Sequence, residues 1–438
     1  MFDLPKFGNG MCLARMAELL DALAIDRARL TRIAVVVTGS NGKGSTATFC
    51  AGIGRAYGLR TGLFTSPHLY RFSERVQVDG AEIGDADLAR LISRIETAIA
   101  PIAARRSEQF GGFEALFALA CLHFQETACE FAVFEAGIGG RYDVTRLVGA
   151  LTTCITSVDY EHVALLGHSL DLIASDKSDA CAAGGTIVYG ETCAKLRPHL
   201  IEYNRHREVT SRFIRDDIAI GGETATAARQ QLDFRFGAYD FPALEIGLQG
   251  AFQCNNAAIA VALFLLWLRR VRPGADAAGC EAAVRSGLRQ TRWPGRLETI
   301  KPDPLTIVDV GHTPDGVRQS LASLTAIQGA EDWILVIGIS SDKKADEIAS
   351  ALAPSFTTII CTRAQHKGAD AAAIASAVRK ANPQADVRLA ATVAEAVAMS
   401  QRLAAEQKRR VYVAGGLFVA IEYAVVANGG RAEELKFF

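Results

Sequence analysis

The chain has 438 residues, enough for two or three domains at ~100–200 residues each. It is 50% hydrophobic and 22% charged with a formal net charge of −1, which excludes a disordered chain and offers no basic field for nucleic acid, so the expected partners are small molecules. Its ten cysteines form no CxxC pair or metal-ligand spacing and read as reduced core cysteines of a cytoplasmic protein, and no N-terminal apolar stretch resembles a signal peptide.

Met1 to Leu30 reads as a lead-in with an amphipathic helix around Leu13 to Leu23. The apolar run Ile33-Ala34-Val35-Val36-Val37 follows as a buried strand. It leads into Thr38-Gly39-Ser40-Asn41-Gly42-Lys43-Gly44-Ser45-Thr46, a glycine turn with one lysine and hydroxyls that open a helix. Such a turn aims backbone N–H groups at an anion, and the helix N-terminus adds positive potential. The lysine adds a mobile charge, and the hydroxyls can reach a magnesium ion carried by a nucleotide. The turn departs from the standard P-loop, which has Gly where Val37 stands and Ser or Thr where Gly44 stands. Taken alone it could be a glycine-rich turn without a ligand; the strand before it and the helix pattern after it favour a nucleoside-triphosphate site.

Further strands are predicted at Thr61–Phe64, Phe131–Glu135, Thr153–Ser157 and Thr186–Tyr189, with helices between them such as Asp85–Ala100 and Phe113–Glu126. This alternation implies a parallel sheet covered on both faces. Residues 205–250 hold short alternating runs such as Leu232-Asp233-Phe234-Arg235-Phe236, which predict a small antiparallel insertion. The apolar stretch Ala257 to Leu268 is short for a membrane span and is followed by Arg269 and Arg270, so a buried core helix is expected and no membrane partner. Trp293-Pro294-Gly295-Arg296 reads as a hinge. Beyond it, strands at Leu305–Asp309, Trp333–Gly338, Thr357–Cys361, Val387–Ala390 and Arg410–Ala414 alternate with helices. The expected fold is α/β: a P-loop-type parallel-sheet ATPase domain over residues 1–293, then a smaller doubly wound Rossmann-like domain over 294–438.

Ligands gather at the carboxyl ends of parallel strands. There the sequence places Thr65-Ser66-Pro67-His68, then Glu135 with Ala136-Gly137-Ile138-Gly139-Gly140-Arg141, then Ser157 with Asp159, Glu161 and His162. Asp176-Lys177-Ser178-Asp179 lies in a helix before the next strand. Singly, Glu135 could serve a cap or ion pair, His162 could be a satisfied histidine, and Lys177 a solvated helix face. His123, His168, His199 and His206 sit in no constellation and read as structural. Together, the strand-end groups point to phosphate and metal chemistry.

The chain resembles folylpolyglutamate synthase and dihydrofolate synthase, within the Mur ligase superfamily of ATP-dependent amide-forming ligases. The resemblance is carried by the Gly39–Thr46 loop and by Leu63-Phe64-Thr65-Ser66-Pro67-His68-Leu69-Tyr70-Arg71-Phe72-Ser73-Glu74-Arg75. It continues through Phe134 to Asp143, Ser157 to His162, Ala174 to Lys177, Gln253 to Asn256, Trp293 to Glu298, Asp309 to Pro314 and Gly415 to Phe418.

The resemblance implies ATP and Mg2+ as cofactors, phosphorylation of a carboxylate, and attack of an amino acid on the acyl phosphate. It places Lys43 on the β- and γ-phosphates, with Gly39, Asn41, Gly42, Gly44, Ser45 and Thr46 around them. Ser66 and Glu135, beside Ser45, match ligands of a first magnesium, and His162 that of a second. Lys177 matches a lysine that relatives carbamylate. Gln253 and Asn256 match residues near the adenine; Arg296, Asp309 and His312 match the second domain's contribution. A site between two domains of one chain implies a monomer.

Three stretches depart from the family pattern. His-Asn-Pro is replaced by His312-Thr313-Pro314, Gly-Ser-Leu-Tyr by Gly415-Gly416-Leu417-Phe418, and Ala-Asp-Lys-Asp by Ser341-Asp342-Lys343-Lys344. They cluster where the amino acid is expected. The departures leave amide ligation better supported than glutamate or folate specificity, and L-glutamate on dihydropteroate or tetrahydrofolate stands as the default reading. The alternatives are a paralogous ligase with another acid or amine, and a decayed nucleotide-binding protein.

Overall fold

The computed structural model describes Leu4 and residues 8–10, 12–226 and 229–437. Residues 1–3, 5–7 and 11 of the expected lead-in lie outside the described residues; its helix spans Leu13–Ala22.

The first lobe is built on eight strands: β1 (Ala34–Thr38), β2 (Thr61–Phe64), β3 (Val76–Val78), β4 (Ala81–Glu82), β5 (Phe131–Glu135), β6 (Thr152–Ile155), β7 (Thr186–Tyr189) and β8 (Thr210–Phe213). Their order is β4-β3-β2-β5-β1-β6-β7-β8. All pairs from β2 to β8 are parallel, while β3 and β4 pair antiparallel at the edge. β1 is central and wholly buried, as its unbroken apolar run requires in a sheet covered on both faces. On one face lie the helices Lys43–Ala56, Phe252–Val271 and Ala277–Gln290; on the other, Leu13–Ala22, Asp85–Arg106 and Gly112–Glu126. Helix Asp85–Arg106 runs six residues past its expected end, through Pro101, because Ile102 beyond it is buried in the same apolar layer.

The antiparallel insertion is shorter than its pattern suggests. Thr210–Phe213 continues the parallel sheet beside β7, and only β9 (Ala219–Ala225), β10 (Gln230–Phe236) and β11 (Tyr239–Ile246) form the separate antiparallel sheet. Helix Phe252–Val271 is long and apolar enough to cross a membrane, but 72% of its apolar window is buried inside the protein. It is a core helix.

The second lobe holds β12 (Glu298–Pro302), β13 (Leu305–Val308), β14 (Trp333–Ile337), β15 (Thr358–Thr362), β16 (Asp386–Ala390) and β17 (Arg410–Ala414) in the order β12-β13-β17-β14-β15-β16. All pairs are parallel except β12 with β13, an edge hairpin absent from the sequence reading. Apolar clusters cover both faces. All ten cysteines are unpaired.

Candidate active site

The turn between β1 and helix Lys43–Ala56 needs glycine at two points. Gly39 has φ +144° and a β-carbon there would lie 2.0 Å from Thr156 Oγ1; Gly42 has φ +83° and a β-carbon would lie 2.5 Å from Asn256 Oδ1. The strand-end hydroxyls pin the turn. Asn41 N–H donates to Ser157 Oγ at 2.8 Å, and Thr156 Oγ1 donates to Asn41 O at 2.6 Å. The first intrahelical bond is Thr46 N–H to Gly42 O, so the amides of residues 43–45 precede the ladder and remain available to an anion. Lys43 Nζ donates to Gly39 O at 2.8 Å and to Ser40 O at 3.3 Å, folded over its own loop.

Gly44 occupies the position where a standard P-loop carries a hydroxyl. Trp293 of the hinge explains it: a β-carbon at Gly44 would lie 3.1 Å from Trp293 Nε1. The hydroxyl moves to Ser45, which accepts from Gln253 Nε2 at 3.3 Å; Gln253 Oε1 in turn accepts from Asn256 Nδ2 at 2.9 Å. The two amides thus brace the loop from the core helix.

Glu135 ends β5 and is 4% exposed. Its Oε2 accepts from Ser66 N–H at 3.0 Å, which joins the ends of β2 and β5. Burial pushes its carboxyl up to about 7, against the opposing pull of Lys43. The glycine-rich stretch after it is shaped by two carboxylates. Asp143 Oδ2 accepts from Gly137 and Ile138 N–H, and Asp176 Oδ1 from Gly140 N–H at 2.9 Å. Asp143 was not singled out in the sequence; nothing in its type or spacing separates it from a surface acid.

Lys177, fully buried, donates from Nζ to Glu161 Oε1 at 2.6 Å. Burial lowers its pKa, with Glu161 opposing. Burial also disfavours the Glu161 carboxylate, but Lys43 and Lys177 outweigh it and hold the group down at about 2. Glu161, whose signal in the sequence is its adjacency to His162, lines the cleft and accepts from the buried lysine. His162 sits on the rim with φ +45°, and partial burial lowers its pKa, so its ring is neutral at pH 7 and can ligate.

From the second lobe come Arg296 and His312. Arg296 Nε is buried without a hydrogen-bond partner, as is Thr46 Oγ1 in the loop. His312 opens to the cleft, with Nδ1 3.3 Å from Val310 O, and its pKa is lowered by desolvation between the walls and by Lys343 and Arg296. Asp309 lies beneath: Oδ1 accepts from Gly311 N–H and Ser320 Oγ, each at 2.8 Å, and Oδ2 from Leu297 N–H at 3.1 Å. Thr313 caps helix Pro314–Gln328 and donates across the lobes to Asn41 Oδ1 at 3.4 Å.

One cavity of about 1030 Å3 gathers these groups between the lobes. Asn41 to Ser45, Ser66, Glu135, His162, Asn256, Arg296 and His312 line it. Gly39, Thr46, Lys177, Gln253 and Asp309 stand behind that lining. The volume exceeds that of most single-ligand pockets and has room for a nucleotide beside a second substrate. Among the described residues no three His, Cys, Asp or Glu side chains form a metal cage. That donor set suits Mg2+, which keeps waters and takes one or two carboxylates plus substrate phosphates, and the hydroxyls of Ser45 and Ser66 are hard oxygen donors.

A phosphate-loop sheet hinged to a doubly wound lobe, with the loop lysine and the strand-end groups of the first facing Arg296 and His312 of the second across a cleft, defines an ATP-dependent ligase of the Mur type. Residues 295–417 match the Mur ligase, glutamate ligase domain. Dihydrofolate synthase/folylpolyglutamate synthase of Bacillus subtilis is 32% identical over 319 residues, 72% of this chain and 72% of that protein. A probable bifunctional folylpolyglutamate synthase/dihydropteroate synthase of Haloferax volcanii is 32% identical over 96% of this chain, which spans only 49% of that longer protein. Mycobacterium tuberculosis folylpolyglutamate synthase complexed with ADP superposes with a TM-score of 0.85 at 26% identity, over 95% of this chain and 94% of the other. The chain belongs to the dihydrofolate synthase/folylpolyglutamate synthase family.

Proposed function

We propose that the chain phosphorylates the carboxylate of a pterin-like acceptor, dihydropteroate or tetrahydrofolate, with ATP and couples the acyl phosphate to L-glutamate. The observation that carries this reading is the convergence of the phosphate loop, buried Glu135 and His162 with Arg296 and His312 in one cleft. In this reading residues 1–293 form the nucleotide lobe and 294–438 the ligase lobe. The substrates are small molecules, the protein is a monomer, and its setting is cytoplasmic.

Phosphoryl transfer between two anions needs neutralisation and alignment more than covalent help. Lys43 leaves its loop carbonyls for the β- and γ-phosphates, while the amides of residues 43–45 and the helix N-terminus hold the β-phosphate. Arg296 turns its unpartnered Nε to the γ-phosphate. Asn256, on the cavity wall, meets the base, and Gln253 keeps Ser45 oriented. Asp309 holds the turn that presents His312. Ser45, Ser66, Glu135 and His162 would hold magnesium, which supplies charge neutralisation for the triphosphate when bound. Carbamylation of Lys177 would replace a cation that repels this metal with an oxygen donor. The incoming amine must lose a proton. With Nδ1–H facing Val310 O, His312 keeps Nε2 free to accept it. Closure of the lobes keeps water from the acyl phosphate.

The test is ATP-dependent amide formation across a panel of acids and amines. Turnover with folate-type acceptors and L-glutamate is expected, and Lys43→Ala should lower it by ~100-fold or more. No amide with any pair, despite nucleotide binding, overturns the reading. One observation favours a second reading, a paralogous ligase for another acid or amine: Gly416 lacks the hydroxyl of the family pattern. Turnover with another pair alone would select it.

A further inference from the structure

The loop that carries Ser66 is gripped by the second lobe at two points. Leu69, five residues past the end of β2 in the loop Thr65–Arg75, leaves the first lobe's core and is buried at 7% exposure in an apolar cluster with Val308, Val310 and Val413. Glu74 shapes this excursion by accepting from the N–H groups of Leu69, Tyr70 and Arg71. Beside it the C-terminal segment of the second lobe crosses back to the first. His68 Nε2 lies 2.7 Å from Lys436 O, and Arg75 donates from Nη2 to Phe437 O at 3.4 Å. Arg75 Nε also donates to His68 Nδ1 at 2.7 Å, so His68 accepts there and donates to Lys436 O from Nε2. That tautomer is neutral, in keeping with a pKa lowered to about 4 by burial and Arg75.

Phe437 is 3% exposed. Its ring meets Phe418 at 4.8 Å, His366 at 5.0 Å and His68 at 6.4 Å, so one side chain touches aromatic groups of both lobes. Lys436 and Phe437 also line the cleft, on the wall shared with Tyr70, Phe72 and Arg75. The same loop is tied to Glu135 through Ser66 N–H at its start and closed by Thr65 N–H to Arg75 O at 3.1 Å.

We propose that Lys436–Phe437 is a clasp, and Leu69 its pivot, that fixes the second lobe in register on the Ser66 loop and closes the end of the cleft walled by Tyr70, Phe72 and Arg75. Phe437, His68 and Leu69 are positioning residues: they act through Ser66 and through the angle between the lobes. The clasp keeps the acyl phosphate dry until the amine attacks. When it is released, water competes and phosphate leaves without an amide bond. The coupling of phosphate release to amide formation rests on the ligase reading; the lobe geometry does not.

The test uses two measurements on the full chain. Dyes on Leu172→Cys and Leu389→Cys, both exposed positions in different lobes, report the inter-lobe distance distribution, with Cys12→Ser to silence the half-buried thiol. Phosphate and amide are counted together in turnover. Phe437→Ala, and separately His68→Ala, should broaden the distance distribution and raise phosphate released per amide by roughly threefold or more, with ADP affinity by calorimetry unchanged. Phe437→Tyr and His68→Gln, which keep the ring and the donor, should restore both. Distance distributions of both alanine variants identical to the parent overturn the proposal, as does an unchanged phosphate-to-amide ratio in both. If the parent forms no amide with any pair, the ligase reading fails and the distance measurement alone decides the clasp.

Discussion

Lys177 Nζ and Glu161 Oε1 stand 2.6 Å apart, with the lysine fully buried and the glutamate at the cavity wall. The pair is the gate to any modification of the lysine. Its ammonium must release a proton before it can take up carbon dioxide, and burial helps by lowering its pKa. Glu161→Gln leaves a buried cation without a counter-charge and should lower unfolding free energy by ~2–4 kcal/mol in urea titration. Lys177→Ala should retain nucleotide binding and lose ligation by ~100-fold or more. Normal activity in that variant removes the carbamate from the mechanism. The sign of the pH effect follows from the depressed carboxyl. Glu161 sits at about 2, below its ordinary value, so its contribution is full above ~4.5 and is lost as pH falls towards 2.

Glu135 behaves in the opposite sense. Its folded pKa of about 7 lies above that of an unfolded glutamate, so the folded protein binds the extra proton between ~4.5 and 7, and stability declines as pH rises through that window. A cation at Glu135 requires the ionised form. Mg-nucleotide binding should therefore release a proton below pH 7, and apparent affinity should fall by up to tenfold per pH unit below it. Calorimetry in buffers of different ionisation enthalpy measures both. Glu135→Gln should flatten the profile; a profile unchanged in that variant moves the metal elsewhere.

β1 and the turn after it were readable because a buried parallel strand needs an unbroken apolar run and a phosphate turn needs glycine, and both demands are local. The reason for Gly44 was not. It lies in Trp293, 249 positions away, whose indole covers the helix's first turn. β3 and β4, of three and two residues, are too short for a period to declare itself, and the edge strand β12 has no buried residue to mark one. Thr210–Phe213 was assigned to the insertion because its polar, exposed face hides a parallel partner in β7. Glu135 and His162 were found by their place at strand ends, but Asp143 and Asp176, which shape the loop by accepting backbone N–H groups, look like any other acids until the loop is folded.

Asp309 offers a sharper division between binding and architecture. Its carboxylate accepts three hydrogen bonds from the protein itself, two on Oδ1 and one on Oδ2. Asp309→Ala strands those donors in a buried site and should destabilise the chain by ~2–4 kcal/mol, visible as an earlier urea midpoint. Asp309→Asn keeps the two bonds to Oδ1 and should lose about half as much. A pure nucleotide ligand would show the reverse: weakened nucleotide binding with an unchanged midpoint.

Gly416 tests the amino-acid end. Its φ of 174° is extended backbone open to any residue, and a β-carbon there would meet Gly338 O at 3.4 Å and Ser340 Oγ at 3.7 Å, ordinary van der Waals contact. Gly416→Ser should therefore fold within ~0.5 kcal/mol of the parent. It restores the hydroxyl of the family pattern beside Ser340, on the cavity wall. If that position contacts the incoming amino acid, the KM for L-glutamate should fall by the ~3–10-fold that one hydrogen bond supplies, with kcat little changed. A site built for a different amine would instead lose affinity for its own substrate, because an added polar group must find a partner or remain unpaired. KM values for L-glutamate and for the amine preferred by the parent, measured side by side in both proteins, separate the two, since the substitution moves them in opposite directions.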